Sequence, residues 1–390
     1  MFKLLRFLTA GESHGPVLTA ILDGMPAGVL LDQALIAANL ARRQGGYGRG
    51  GRMKIERDEV EFLGGVRFGR TTGAPIVLQV RNRDHANWGE ALAPFGDASA
   101  GEATRLTRPR PGHADLVGML KYGHDDARDV LERASARETA VRVAGGEVAR
   151  ALLATIGVDV FSHVLRVGAV EARIEGLDDE TIQRRAKSSE LSCADNEDQM
   201  RAAIDSAREA EDTVGGVFEV VVIGLPVGLG SCMAPDRRLD ARLAMALLSV
   251  PAVKGCEFGP AFSNAARRGS EVHDEVLEGG ERASNRAGGL EGGMTTGESL
   301  RIRGAMKPIS TLRKPLRSID MDTGAASPAG FERSDTCAVP AAGVVAEAAV
   351  ALVVADALLE SFGSDEIGSI RAAVQRRARD VARRVASDDA

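Results

Sequence analysis

Cysteine and lysine are both scarce in this chain, and each scarcity narrows what the protein is. The four cysteines, Cys193, Cys232, Cys256 and Cys337, show no close paired spacing. They offer no metal-type cluster and, without secretory context, no disulfide framework, and they read as reduced thiols in a cytoplasmic chain. No cysteine–histidine spacing suits a metal, and no Gly-x-Gly-x-x-Gly fingerprint follows a strand-like run. Excess positive charge is missing as well: a formal net charge of -6 argues against a surface devoted to nucleic acid. Lysine occurs only at Lys3, Lys54, Lys121, Lys187, Lys254, Lys307 and Lys314. With arginine supplying the rest, an arginine cluster says less here than a lysine kept in a motif. The most membrane-like run, residues 339–359, is interrupted by Pro340, Glu347 and Asp356. Intramembrane carboxylates are costly, so the run reads as a packed helix and no membrane is expected as a partner. The opening segment from Met1 to Leu8 is too short for a signal peptide and leads straight into a turn.

What is present is the composition of a soluble globular protein, 44% hydrophobic and 27% charged over 390 residues, enough for one large or two ordinary domains. Its centre is residues 108–140, which include Arg108-Pro109-Arg110-Pro111-Gly112-His113-Ala114-Asp115 and Glu132-Arg133-Ala134-Ser135-Ala136-Arg137-Glu138-Thr139-Ala140. Prolines and a glycine fix the backbone around His113, and arginines stand on both sides. Guanidinium forks bind phosphate and carboxylate oxygens in pairs, and a fixed imidazole can hand a proton to a departing phosphate. The turn at Arg133-Ala134-Ser135 sits near a helix start, where free amides can hold a phosphate. Taken alone, the stretch is equally an arginine-rich loop leading into a surface helix.

Earlier in the chain, a short strand over residues 3–8 delivers Gly11-Glu12-Ser13-His14-Gly15, and residues 17–23 read as a second strand. The Gly-x-Ser-x-Gly match invites a serine hydrolase with Ser13 as nucleophile. That motif needs a strand-turn-helix elbow, whereas Pro16-Val17-Leu18-Thr19 reads as strand, and adjacent Ser and His side chains diverge in extended backbone. His14 is better read as an acid-base residue with Ser13 as a polar contact. A helix over residues 32–43, capped by Asp32, ends in a loop rich in glycine and arginine over 42–52, a candidate lid. Short strand-like runs follow at 60–63 and 75–80, then a polar insertion or flap over 82–103 that carries the only tryptophan, Trp88. Strand-like runs at 158–161, 164–170 and 215–224 flank a charged helical region over 178–210, and 240–248 reads as helix. The glycine-rich run 285–294 packs little core and more naturally lines a ligand or another chain. Lys307-Pro308-Ile309-Ser310-Thr311 offers a retained lysine beside two hydroxyls, a phosphate grip. Arg333-Ser334-Asp335 precedes the apolar helix, and 376–386 reads as a basic helical tail.

In order, Gly11 to Gly15, Arg110 to Asp115, Ser135 to Ala140, Asn285 to Gly293, Lys307-Pro308 and Arg333-Ser334-Asp335 resemble the chorismate synthase family from about Phe7 to the helix near Leu359. The resemblance implies an anti 1,4-elimination of phosphate from 5-enolpyruvylshikimate 3-phosphate to give chorismate, the branch point of aromatic biosynthesis. It implies reduced FMN as an obligatory cofactor without net redox change. NADPH is a possible reductant, and an external flavin reductase is the expected source of reduced flavin. It also implies an α+β fold, two antiparallel β-sheets in a sandwich surrounded by helices (a β-α-β sandwich), as one domain over 1–390 with a peripheral tail from 361, assembled as a homotetramer.

The resemblance also implies roles for particular residues. His14 would manage protonation of the reduced flavin, His113 would protonate the departing phosphate, and Asp335 would help the flavin's central-ring nitrogen take the ring proton. Arg43 and Arg49 match positions that the family assigns to NADP and to substrate. Arg110, Arg137 and Arg333 would hold carboxylates and phosphate, with Ser13 alongside. FMN would be held by Arg133, Ala134, Ser135, Asn264, Ala265, Gly292, Lys307, Pro308, Ile309, Ser310, Thr311 and Arg333. Ala134 stands where the family commonly has serine, and Ile309 where it has threonine or similar; backbone amides serve at both. The rival reading is a non-catalytic anion- or nucleotide-binding protein using the same arginines.

Overall fold

The computed structural model describes residues 1–50, 56–332, 334–363 and 365–386. Two antiparallel sheets face one another across two helices. The first has four strands in the spatial order Arg6–Ala10, Val17–Asp23, Ile76–Arg81, Val60–Gly64. Alternation puts Leu18, Ala20 and Leu22 on its inner face, in register with the equally buried Val80, Leu78 and Ile76. The second sheet runs Val253–Phe258, Leu300–Met306, Gly216–Ile223, Asp159–Val167, Val170–Glu171. The two sheets and the α+β class agree with the expectation.

Helices Thr139–Ala154 and Val339–Phe362 fill the space between the sheets, and three glycines fix the order of the layers. A Cβ on Gly145 would lie 2.5 Å from the Phe7 ring of the first sheet. One on Gly146 would lie 2.2 Å from Ala348 Cβ, and one on Gly343 2.7 Å from Ser162 Oγ of the second sheet. Sheet, helix, helix and sheet therefore stack in contact because hydrogen stands where a methyl would collide. The remaining long helices, Gln33–Gln44, Asp179–Ser188, Glu197–Glu209, Leu239–Leu248 and Ile367–Val385, lie around this stack. One large hydrophobic cluster spans it from Leu5 to Ile370.

The apolar helix Val339–Phe362 is long enough to cross a membrane, but 94% of its most apolar window is buried inside the protein. Its two buried carboxylates are stitches. Glu347 accepts both Arg42 donors at 2.9 and 2.8 Å, Arg150 at 3.0 Å, and the Ser162 amide and hydroxyl at 2.8 and 2.6 Å. Asp356 accepts the amides of Lys3, Leu4 and Leu5 and is paired with Arg242. A buried carboxylate persists only when its lone pairs are answered in this way.

Two local expectations change. The charged region 178–210 is two helices, because residues 189–196 drop to the second sheet, where Cys193 bridges to Val164. Ser192 and Asn196 take left-handed backbone, φ 53° and 58°, to make that excursion. The runs at 158–161 and 164–170 form one strand, Asp159–Val167, with an irregularity between Val164 and Arg166 before a two-residue strand.

The glycine stack makes a prediction whose sign is diagnostic. Alanine should gain about 1 kcal/mol over glycine by helix propensity. Overpacking against Ala348 should outweigh this, so Gly146→Ala is expected to lose about 1–3 kcal/mol in a denaturant melt. A gain in stability would refute the layer contact.

Candidate active site

A cavity of about 540 Å³ opens beside the start of helix Val339–Phe362, where the small side chains of Ala338, Ala341 and Ala342 leave room. Its walls bring together Ser13, His14, Arg43, Arg49, Trp88, Arg110, His113, Ala134, Ser135, Arg137, Lys307, Ile309, Ser310, Thr311 and Asp335. These come from loops and helix ends spread over more than three hundred positions. The volume lies in the roughly 300–1,000 Å³ usual for cofactor and small-molecule sites.

Each histidine is held by a carboxylate. His14 is buried and donates Nδ1–H to Glu132 Oε1 at 2.8 Å, while its backbone N–H donates to Glu132 Oε2 at 2.8 Å. Trp88 lies over the imidazole, ring centroids 4.4 Å apart. His113 sits at the end of the fixed turn, with Nδ1 2.5 Å from Asp115 Oδ1. Asp115 also accepts Arg110 Nε at 2.8 Å, and Arg110 donates on to Thr311 Oγ1 at 2.9 Å. Burial alone would raise the Asp115 carboxyl; its bonds to His113 and Arg110 outweigh that and hold it far below the usual carboxylate range.

The arginines do not wait as loose charges. Arg43 and Arg137, both buried, share Asp58: Arg43 Nη2 donates at 2.5 Å and Arg137 Nη1 closes the other oxygen. Arg137 also reaches Glu56 at 3.4 Å and Asn82 Oδ1 at 2.8 Å. Burial pushes the Asp58 carboxyl up, but the two guanidiniums overcome it and hold it below its ordinary value. Arg43 Nε has no hydrogen-bond partner among the described residues, an opening for an acceptor on a ligand. Arg49 pairs with Asp335 at 2.6 Å, and the Gly50 amide donates to the same carboxylate at 2.6 Å. The described part of the candidate lid is thereby pinned. Tyr47 fixes it further, donating its hydroxyl to Asp205 at 2.7 Å.

Lys307 donates to Ser310 Oγ at 2.9 Å, and burial and then nearby Lys254 lower its pKa. Ser310 in turn donates to the Gly112 carbonyl at 2.9 Å, tying this grip to the His113 turn. Ser13 donates to Ser135 at 3.1 Å. With the neighbouring His14 engaged by Glu132, these contacts do not form a nucleophile–base pair, and the hydrolase reading is not favoured.

Some expected site residues lie elsewhere. Arg133 is exposed and donates to the Thr9 and Gly11 carbonyls, clamping the chain that enters the Ser13 loop. Pro308 is not on the cavity wall. Asn264 donates to the Arg286 carbonyl, Ala265 ends a four-residue helix, and Gly292 lies in a hairpin beside Cys232; none lines this cavity. Arg333 lies outside the described residues, as do residues 51 and 52 of the candidate lid. The amides at 133–135 end helix Arg128–Ala134, and Ser135 caps the following turn by accepting from Arg137 N–H. Sequence reasoning missed Glu132, Asp115 and Asp58. Asp115 had a local signal, two residues beyond His113. Glu132 stood inside a quoted motif without an assigned partner, and Asp58 stood beside a strand-like run with no motif at all.

A family model described as chorismate synthase matches residues 5–359 of the chain. The chain is 55% identical over 381 residues to the chorismate synthase of Geobacter sulfurreducens, covering 94% of this chain and 97% of that one. It is 55% identical over 376 residues to that of Desulforamulus reducens, covering 95% and 97%. A solved crystal structure of chorismate synthase matches with a TM-score of 0.77 at 39% identity, covering 99% of both chains.

Removing the shared carboxylate should expose the cost of this arrangement. Asp58→Asn leaves two buried guanidiniums facing a neutral amide, with an expected loss of about 3–5 kcal/mol in denaturant melts at pH 7. Because folding depresses the Asp58 pKa, its contribution is present above the unfolded value and disappears as pH falls below it. The gap between wild type and variant should therefore shrink below about pH 4. A constant gap would sink the assignment.

Proposed function

The chain belongs to the chorismate synthase family, and on that premise we propose that its cavity binds reduced FMN and 5-enolpyruvylshikimate 3-phosphate side by side. The protein is a carbon–oxygen lyase of aromatic amino acid biosynthesis that eliminates phosphate from this substrate to give chorismate. The observation that carries the site assignment is the meeting of His14, His113 and Asp335 in one cavity walled by arginines.

The donor set fits the flavin. Lys307, Ser135, Ser310 and Thr311 suit its phosphate and polar edge, while Val250, Pro251, Met306 and Val345 offer apolar wall for a flat ring. When bound, reduced FMN supplies electron density that assists phosphate departure and recovers it afterwards, so the reaction has no net redox change. The rest is the work of this chain. Arg43, Arg49, Arg110 and Arg137 hold substrate carboxylates and phosphate, with Ser13 beside them. Asp115 accepts a hydrogen bond from His113 Nδ1–H, which leaves Nε2 as the atom that would protonate the departing phosphate. Asp335, fixed by Arg49 and the Gly50 amide, is the carboxylate that would help the ring proton leave, and His14 would serve the flavin's protonation.

We read the reduced flavin as supplied by an external reductase. Asn264, Ala265 and Gly292 would contact flavin only as contributions from another copy, in keeping with a homotetramer. The four free thiols agree with a reducing, cytoplasmic setting.

The decisive experiment is anaerobic incubation of the purified protein with reduced FMN and 5-enolpyruvylshikimate 3-phosphate. Phosphate and chorismate should appear together, and their absence would reject the site reading. His113→Ala should lower turnover about a hundredfold to ten-thousandfold while FMN binding survives. Unchanged turnover would show that another group is the acid.

A further inference from the structure

Glu132 holds the loop of His14 by three separate bonds. Its carboxylate takes the His14 ring proton and the His14 amide, each at 2.8 Å, and its backbone carbonyl accepts the Ser13 amide at 3.0 Å. An ionised carboxylate only accepts, so the ring nitrogen facing it carries hydrogen. Burial would raise the Glu132 pKa, but the His14 and Arg128 contacts outweigh it and lower it. Arg128, one turn earlier on the same helix, donates to Glu132 Oε1 at 3.2 Å and lies 4.6 Å from the Trp88 ring centre.

Asp84 and His85 approach His14 at atoms other than Nδ1. Asp84 Oδ2 is 3.9 Å from His14 Nε2, beyond hydrogen-bond reach, and His85 donates to the His14 carbonyl at 2.9 Å without touching the ring. Glu12, on the histidine's own loop, is exposed. Trp88 covers an imidazole face, which keeps the ring from turning to exchange its two nitrogens.

We propose that Glu132 is the positioning residue of His14, locking it as the Nδ1–H tautomer so that proton exchange runs through Nε2, with Trp88 as the wall that holds the ring in that orientation. The proposal rests on the reading of His14 as the residue serving flavin protonation. Free neutral imidazole favours hydrogen on Nε2, so the lock reverses the default and leaves Nε2, the nitrogen nearer Asp84, as the atom that gains and loses the proton.

The test uses the full-length protein without flavin, its six histidines labelled with nitrogen-15. Imidazole shifts are read at a pH where the ring is neutral, and the His14 signals are identified by their loss in His14→Gln. Native protein should show His14 protonated at Nδ1, and Glu132→Ala should return it toward the Nε2–H form. A native Nε2–H signal overturns the proposal, and that measurement needs no variant to fold. In turnover with reduced FMN, Glu132→Ala should lower kcat about tenfold to a hundredfold with KM changed far less, and Glu132→Asp should recover part of the loss. A fall in KM-dependent binding alone, with kcat intact, also overturns it. The tautomer is read without turnover, so inactive native protein with an Nδ1–H His14 would reject the lyase site reading while leaving the positioning role standing.

Discussion

The sharing of one carboxylate between two buried guanidiniums is the interaction on which the site depends. Arg43 comes from the end of helix Gln33–Gln44 and Arg137 from the turn before helix Thr139–Ala154, and Asp58 closes both. Without it, two like charges would face each other in a space largely shut off from water, and neither helix end could settle there. With it, the cation density needed for a substrate bearing phosphate and carboxylates is assembled before any ligand arrives. Side-chain ordering has then already been met by folding, so binding energy is available for orientation.

The same solution recurs on a larger scale in helix Val339–Phe362. A helix apolar all round can sit between two sheets, but nothing in its surface tells it where to stop sliding. Glu347 and Asp356 supply the register. Glu347 draws in Arg42, Arg150 and strand residue Ser162, and Asp356 gathers the N-terminal amides and Arg242. Three layers are thereby fixed along the helix axis. Its first turn, with alanines at 338, 341 and 342, is held where it leaves space for the cavity.

How legible this was differs from element to element. The strand at residues 17–23 was visible, because period-two alternation is local. The cap at Asp32 was visible too, since it needs only the amides of Ala34 and Leu35. The packed character of 339–359 followed from its two carboxylates, although what they bind did not. His14, His113 and Asp335 were found by motif order, and their convergence came only with the fold. Asp58 and Glu132 were not found, because a carboxylate's meaning here is its partner, and those partners lie 15 and 79 positions away for Asp58 and 118 for Glu132. Asn264, Ala265 and Gly292 were matched by resemblance alone, and nothing in their own contacts draws them to this cavity.

The two histidines show why one chemistry needs two environments. Each presents Nδ1 to a carboxylate, yet His14 is buried under an indole while His113 keeps about a fifth of its side chain exposed. Under the proposed role, a proton donor to a departing phosphate must recover its proton from solvent between turnovers, and partial exposure on a loop tied through Gly112 and Ser310 would give His113 that access without freeing its orientation. A residue serving a flavin has the opposite need. With flavin bound as proposed, burial beneath Trp88 would keep water from the chemistry as well as hold the ring's orientation. The exposure difference thus gives the two histidines different environments, where sequence order alone treats them as equivalent.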